Sequence, residues 1–305
     1  MSGARRRVWV LNLDAETELA TRGPYTRSNH LARILRAQEQ QLAASLVPAG
    51  DLVLSQDGLA DLRRSGEARG LQGVAWSPTP AALRSLAAVG ALVPEAPPSP
   101  ARLAEVNQRP FATRVREGLG ELALSKATVR TMDEALEHLA QPADLGWLVR
   151  RTFGAAGRGR RRIAAGPPGP EDRAWIEASL REGPLTLEPW VEVVTEFTRS
   201  GFVHADGRVQ LAAPTLQRTT REGAWLASEL AAPDGLQRAH DDALQRALEA
   251  AGQALSAAGY SGAFGIDAFL HRWRGSLELN PMSEINARYT MDWALGFGDR
   301  RPDLG

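Results

Sequence analysis

The sequence predicts an α/β fold, and three observations carry that prediction. Strand and helix patterns alternate through the first hundred residues, as they do where crossover helices connect parallel strands. A proline-rich stretch at 94–100, Pro-Glu-Ala-Pro-Pro-Ser-Pro, then interrupts the pattern and marks a boundary. Near the C-terminus, two short apolar stretches carry acidic residues at positions that share one face of a strand. At 305 residues the chain can hold two or three subdomains around more than one core.

The elements follow in order. Val8-Trp9-Val10-Leu11-Asn12-Leu13 reads as the first strand; it is too short for the apolar region of a secretory leader and runs into Asp14 and Glu16. A helix is expected from about 27 to 44, with Leu31, Ile34, Leu35 and Leu42 on its apolar stripe. Residues 51–55 and 73–77 are further strands, and Thr79-Pro80 opens a helix to about Val89. Beyond the boundary, 102–120 reads as helical with a turn at Pro110. Residues 131–140 form a second helix, with Thr131 as cap and Glu134 as its capping-box partner. A strand at 147–151 enters a glycine-rich loop, a second strand follows at 161–165, and a helix spans 171–182. Residues 185–204 contain a hinge-like segment and a hairpin, and a long helix at 236–258 precedes the two acidic strands.

Those strands are Gly265-Ile266-Asp267-Ala268-Phe269 and the run from Leu279 to Arg288. Glu284, Asn286 and Arg288 share one face, and Ile285 and Ala287 the other. Asp267, Glu284 and Asn286 are hard oxygen ligands suited to Mg²⁺, and an arginine beside them suits a phosphate. Glu278-Leu279-Asn280 is a second Glu-x-Asn, but Met282 stands where the arginine would complete it. Simpler readings exist: Asp267 capping a turn, and Glu284 paired with Arg288. The loop from Thr152 to Arg160 carries Gly154, Gly157 and Gly159, which let the backbone turn tightly and present N–H groups to an anion. It is neither a Walker loop nor a helix-opening Gly-x-Gly-x-x-Gly.

Composition narrows the class. Lysine plus arginine and aspartate plus glutamate both number 36, so nothing electrostatic points to nucleic acid or an anionic membrane. No apolar run approaches the ~18–20 residues that span a bilayer. Five histidines lie apart, without zinc-ligand spacing. The absence of cysteine excludes disulfides and thiolate catalysis and fits a cytoplasmic protein. Lys126 is the sole lysine, so nearly every cationic contact must come from arginine, a planar fork where lysine is a point donor.

An acid on one strand, Glu-x-Asn-x-Arg on the next and a glycine loop upstream together resemble the ATP-grasp superfamily, over residues 101 to about 295. The resemblance implies an ATP-grasp fold of two α+β lobes behind an N-terminal Rossmann-like pre-ATP-grasp domain. It divides the chain into 1–100, a first lobe at 101–187 with the glycine loop, and a second lobe at 188–305 with hinge and metal site. It implies ATP as the nucleotide and Mg²⁺ (or Mn²⁺) on Asp267, Glu284 and Asn286. Arg150 would contact phosphate from the strand before the loop, with Arg151 the alternative on the opposite face, and Arg109 would reach the α-phosphate. Glu188 and the backbone of Trp190 or Val191 would meet adenine. Glu196 would accept from the ribose hydroxyls, with Glu192 as second choice. Arg288 would hold the transferring phosphoryl group or the acceptor carboxylate.

The implied activity is the ATP-dependent joining of a carboxylate to an amine through an acylphosphate. The alternatives are a phosphotransferase on the same fold and a non-catalytic nucleotide-binding partner protein. Small-molecule or peptide acids and amines are the expected substrates, with no nucleic-acid or membrane partner and a homodimer as the default assembly. Asp14, Glu16 and Arg27 are substrate-side candidates because they follow a parallel strand's C-terminal end, where α/β sheets bind ligands. Thr215 to Arg221 adds two arginines that suit an anionic substrate or a solvated loop.

Overall fold

The computed structural model describes residues 6–21, 23–120, 124–154, 159–220, 225–231 and 236–304. The first unit is the predicted parallel layer. Strand β1 (Arg7–Val10) runs between β2 (Leu52–Val53) and β3 (Gln72–Ala75), with Val8 opposite both Leu52 and Gly73. Helices α1 (Ala15–Ala20), α2 (Asn29–Leu46), α3 (Leu59–Ser65) and α4 (Pro80–Ala88) accompany it. Ser28 fixes the start of α2 by accepting a hydrogen bond from the Leu31 amide, and Thr79 caps α4 ahead of Pro80. Leu35 and Leu42 of the expected stripe are buried, but Ile34 is 55% exposed; Leu46 completes the packed face instead.

The helical stretch expected over 102–120 is two helices, α5 (Pro100–Val106) and α6 (Arg109–Glu117). They break at Asn107–Gln108 because Pro110, which lacks an N–H, is tolerated only in the first turn of a new helix. Leu103, Val106, Phe111 and Ala112 do not pack on the smaller sheet that follows. They join the core of the larger C-terminal sheet.

The smaller sheet comprises β4 (Ala127–Val129), β5 (Trp147–Arg151), β6 (Arg160–Ile163) and β7 (Leu185–Pro189), in the order β4-β7-β5-β6, all antiparallel. Helices α7 (Met132–Leu139) and α8 (Pro170–Leu180) cover it. The larger sheet has the order β10-β9-β8-β11-β12 and is also antiparallel. Its strands are β8 (Glu192–Val203), β9 (Val209–Thr219), β10 (Trp225–Leu230), β11 (Gly262–Trp273) and β12 (Ser276–Asn286), with α9 (Arg238–Ala257) packed on one face.

The chain passes from one sheet to the other through Trp190 and Val191 alone. Gly146 anchors that crossing: its carbonyl accepts from the Trp190 amide at 2.8 Å. Only glycine fits there, since φ is +85° and a Cβ would lie 2.2 Å from the Ile163 carbonyl oxygen. At the far end, Tyr289, Trp293 and Phe297 of the segment containing α10 (Trp293–Phe297) pack against Trp9, Leu42, Leu46 and Trp76. Trp9 meets Tyr289 edge-on at 5.6 Å between ring centroids, so the first unit is bonded to the larger sheet by an aromatic core. Among the described residues, no helix is long and apolar enough to cross a membrane.

Candidate active site

A cavity of about 1010 Å³ opens between the two sheets, bounded by the 190–191 crossing, Gly154 and Arg160 on either side of the glycine loop, and residues of β11 and β12. Antiparallel pairing places Asp267 directly opposite Glu284, and Gly265 opposite Asn286, so the three predicted metal ligands come together on the cavity wall. Asp267 accepts hydrogen bonds from Thr198 (3.0 Å) and from the Asn286 amide (2.9 Å). Burial and the facing Glu284 push its carboxyl up to about 7. The register shifts after Asp267, and the rival Glu278 and Asn280 leave the cavity. Glu278 is exposed, while Asn280 is buried and accepts from Arg116 at 3.2 Å.

These residues suit a divalent cation. The groups that hydrogen-bond Asp267 are both neutral, so a buried carboxylate faces another carboxylate without a direct cationic partner. Among the described residues no cluster of three His, Cys, Asp or Glu side chains is formed. Two carboxylates and an amide oxygen would supply part of the oxygen shell that a hard cation such as Mg²⁺ takes. Because Asp267 would have to lose its proton to ligate, a Mg²⁺ ion held there would raise the thermal unfolding midpoint more at pH 8 than at pH 6. In the metal-free protein the sign is opposite. The raised Asp267 value favours folding at low pH, and that contribution is lost as pH climbs from 3.8 through about 7. Asp267→Asn will flatten the pH dependence of the Mg²⁺ shift, which differential scanning calorimetry reads directly.

Arg109, buried at the start of α6, is committed to several partners. It pairs with Glu284 at 3.1 Å and donates to the carbonyls of Arg151 (2.9 Å) and Gly154 (3.0 Å). It thus ties the entrance of the glycine loop to the acidic strand. The pairing also corrects the simpler reading of Glu284, whose ion-pair partner is Arg109 and not Arg288. Gly154 lines the cavity, and Gly159, at φ +70°, closes the loop by accepting from the Arg151 amide at 2.8 Å. Gly157 lies outside the described residues.

Adjacent positions on β5 diverge as strand geometry requires. Arg150 lines the cavity. Arg151 turns to the other side, donating to Ser179 (3.0 Å) and Glu182 (2.8 Å) over the ring of Trp175. Arg150 pairs with Glu188 at 2.8 Å, and Glu188 also faces Lys126 at 3.3 Å. Glu188, expected to meet adenine, lines the cavity with its carboxylate engaged by these two cations. Its carboxylate is buried between two cations and held near 2, the pull of Arg150, Lys126 and Arg116 outweighing burial. The Trp190 amide donates to the Gly146 carbonyl, and Trp190 and Val191 both line the cavity. Glu196 lines the cavity and accepts from Thr219, whereas Glu192 is exposed at its edge and pairs with Arg272.

On the substrate side, Asp14 and Arg27 pair with each other, joined by Tyr25 and Glu39, and neither lines the cavity. Glu16 does, and it pairs with Arg288 at 2.8 Å. Arg218 also lines the cavity, paired with Glu229, while Arg221 lies outside the described residues. Sequence reasoning did not anticipate the roles of Lys126, Arg116, Thr198 and Gln217. Lys126 is buried, donates to the Ser283 carbonyl beside Glu284, and is pushed down to about 7 by burial. Gln217 donates to Thr198, which holds Asp267. The one available signal was the singularity of Lys126 in an arginine-rich chain.

A small antiparallel sheet and a larger one, joined by a two-residue crossing over a cavity with acids on its last two strands, constitute the ATP-grasp fold. Solved structures agree. A biotin carboxylase from Campylobacter jejuni, in a β-γ-ATP complex, is similar at TM-score 0.58 and 12% identity, over 100% of this chain and 71% of that one. D-alanyl-alanine synthetase A from Vibrio cholerae matches at 0.52 and 13%, over 93% and 88%. N5-carboxyaminoimidazole synthetase from Staphylococcus aureus, complexed with ADP, matches at 0.51 and 12%, over 95% and 73%. No protein-family model matches the chain, and no curated protein matches it by sequence.

Proposed function

We propose that this protein is an ATP- and Mg²⁺-dependent ligase that joins a carboxylate to an amine. One observation carries the reading: Asp267, Glu284 and Asn286 line the same cavity as Arg109, Arg150 and Arg288, the arginines expected to hold phosphate or the acceptor. The solved structures of this fold include enzymes complexed with ADP or an ATP ligand, which supports nucleotide in the same cavity. Mg²⁺ on Asp267, Glu284 and Asn286 would supply charge neutralisation at the phosphate oxygens. Arg150 and Arg109 add fixed positive charge that needs no reorganisation as transfer proceeds. Val191 and Glu196 would position base and ribose. A substrate carboxylate oxygen attacks the γ-phosphorus and ADP leaves. The amine nitrogen then attacks the acyl carbon, phosphate leaves, and the nitrogen gives up a proton. Gly154 and Arg160, at the two ends of the glycine loop, border the cavity where water must be kept from the acylphosphate.

Calorimetry with a non-hydrolysable ATP analogue, with and without Mg²⁺, tests the nucleotide site, and Mg²⁺-dependent binding is expected. ADP release that requires both an acid and an amine identifies the ligase. Release with an acceptor but no amine would favour the phosphotransferase. No analogue binding under either condition would leave a non-catalytic partner protein.

A further inference from the structure

Arg288 takes its ion-pair partner from the N-terminal unit. Its Nη2 donates to Glu16 Oε1 at 2.8 Å, and its Nη1 donates to the Tyr289 carbonyl at 3.3 Å. The guanidinium lies over Trp76, 5.6 Å from the ring centroid. Trp76 and Tyr289 belong to the aromatic core between the first unit and the larger sheet, so the arginine is supported from behind by rigid packing. Glu16 differs. It stands in the first turn of the six-residue helix α1, and among the described residues it makes no second hydrogen bond. Both side chains line the cavity and keep 19% and 13% of their surface exposed.

The position of this pair gives it a function. Arg288 follows the end of β12 and reaches Glu16 of α1 across the cavity wall, so the guanidinium sits between the acidic strands and the first unit. That is where an acceptor would approach a phosphoryl group held at the acidic strands. A carboxylate already occupies the place. Its contact uses a single oxygen on a single nitrogen, short of the bidentate geometry that makes arginine–carboxylate pairs strong.

We propose that Glu16 is a resident carboxylate that holds the acceptor position on Arg288 and is exchanged for the carboxylate of the substrate. The proposal rests on the acid-activating reading above. A tethered carboxylate competes at an effective concentration set by its short connection to the site, of order mM or higher. An acid that binds through this contact alone is excluded, and an acid with further contacts in the cavity, or a bidentate grip on Arg288, displaces Glu16. The pair thereby selects substrates and keeps the acceptor site neutral until one arrives.

Trifluoroacetate, a minimal carboxylate, serves as the probe, with its binding read by ¹⁹F NMR titration of the full chain. The proteins compared are the wild type, Glu16→Gln, Arg288→Gln and the double variant. Glu16→Gln is expected to bind the probe about tenfold more tightly than the wild type, as removal of a tethered competitor requires. The gain is expected to vanish in the double variant. Equal affinity in the wild type and Glu16→Gln, weaker binding in Glu16→Gln, or a gain that survives loss of Arg288 would each overturn the proposal. Glu16→Ala repeats the comparison should the glutamine variant fold poorly. Parallel titration with the ATP analogue keeps the two readings apart. Absent nucleotide binding would sink the ligase reading whatever trifluoroacetate does, and unchanged trifluoroacetate affinity would sink only the exchange.

Discussion

Replacing Glu284 with alanine will remove the Mg²⁺-dependent part of nucleotide binding and lower turnover by at least about 10²-fold, the scale on which one preorganised charge acts at a reacting group. Two functions end together at that position. The carboxylate lies opposite Asp267 in the β11–β12 register, so its loss leaves one carboxylate and one amide at the metal position. It is also the acidic partner of Arg109, which would keep its bonds to the Arg151 and Gly154 carbonyls. The glycine loop therefore stays attached, and the variant is expected to fold. Glu278→Ala is the matched control. It removes the same group from the other Glu-x-Asn copy, which is exposed and outside the cavity, and both binding and turnover will be unchanged. Calorimetry and ADP release on the two variants decide between the copies, and an equal loss in both would displace the metal site from Glu284.

That Glu284 and Asn286 share a face was legible in the sequence, because it rests on local geometry, and Arg288 alone distinguished that copy from Glu278 and Asn280. Alternation along β12 places Glu284 and Asn286 on one face, and strand pairing then brings them to Asp267. The same parity argument left Arg150 and Arg151 on opposite faces without saying which face was inward, since that depends on which helix covers the small sheet. Ser179 of α8 and Glu182 just beyond that helix take Arg151, which leaves Arg150 to the cavity.

What the sequence hid is pairing between segments far apart in the chain. Glu188 reads as a hinge acid, but Lys126, just before β4, and Arg150 on β5 reach it and neutralise it. Arg109 reads as a helix arginine, but its partner Glu284 is 175 residues away. The helices at 100–117 precede the small sheet in sequence yet bury Leu103, Val106 and Phe111 beside α9, because the apolar faces of β11, β12 and α9 leave space for them. Periodicity reports that a helix has an apolar face and carries no information about which sheet will cover it.

The buried cluster around Glu188 supports the second large effect. Glu188→Gln will destabilise the protein by about 3–5 kcal/mol, as removal of one partner from a buried ion pair does. The glutamine preserves volume, so the loss measures charge. Arg116, Lys126 and Arg150 would then lack the anion that offsets their burial. Arg116 is already held down to about 10 and Lys126 to about 7, in both cases chiefly by desolvation. The cations will not respond alike. Lysine relieves the strain by releasing its proton into solvent, whereas a guanidinium stays charged in a protein. Adding Arg150→Met to Glu188→Gln will therefore recover more stability than adding Lys126→Met, and denaturant midpoints at pH 7 rank the two double variants. Reversal of that order would mean that Arg150 finds water when Glu188 is lost. The acid limb supplies a second check. Glu188 is depressed from 4.5 to about 2 in the folded protein, so it stabilises the fold above about pH 4.5 and that contribution is lost as pH falls toward 2. The wild type's advantage over Glu188→Gln will consequently shrink between pH 4.5 and 2, and an advantage that stayed constant over that range would show that the carboxylate is not charged in the fold.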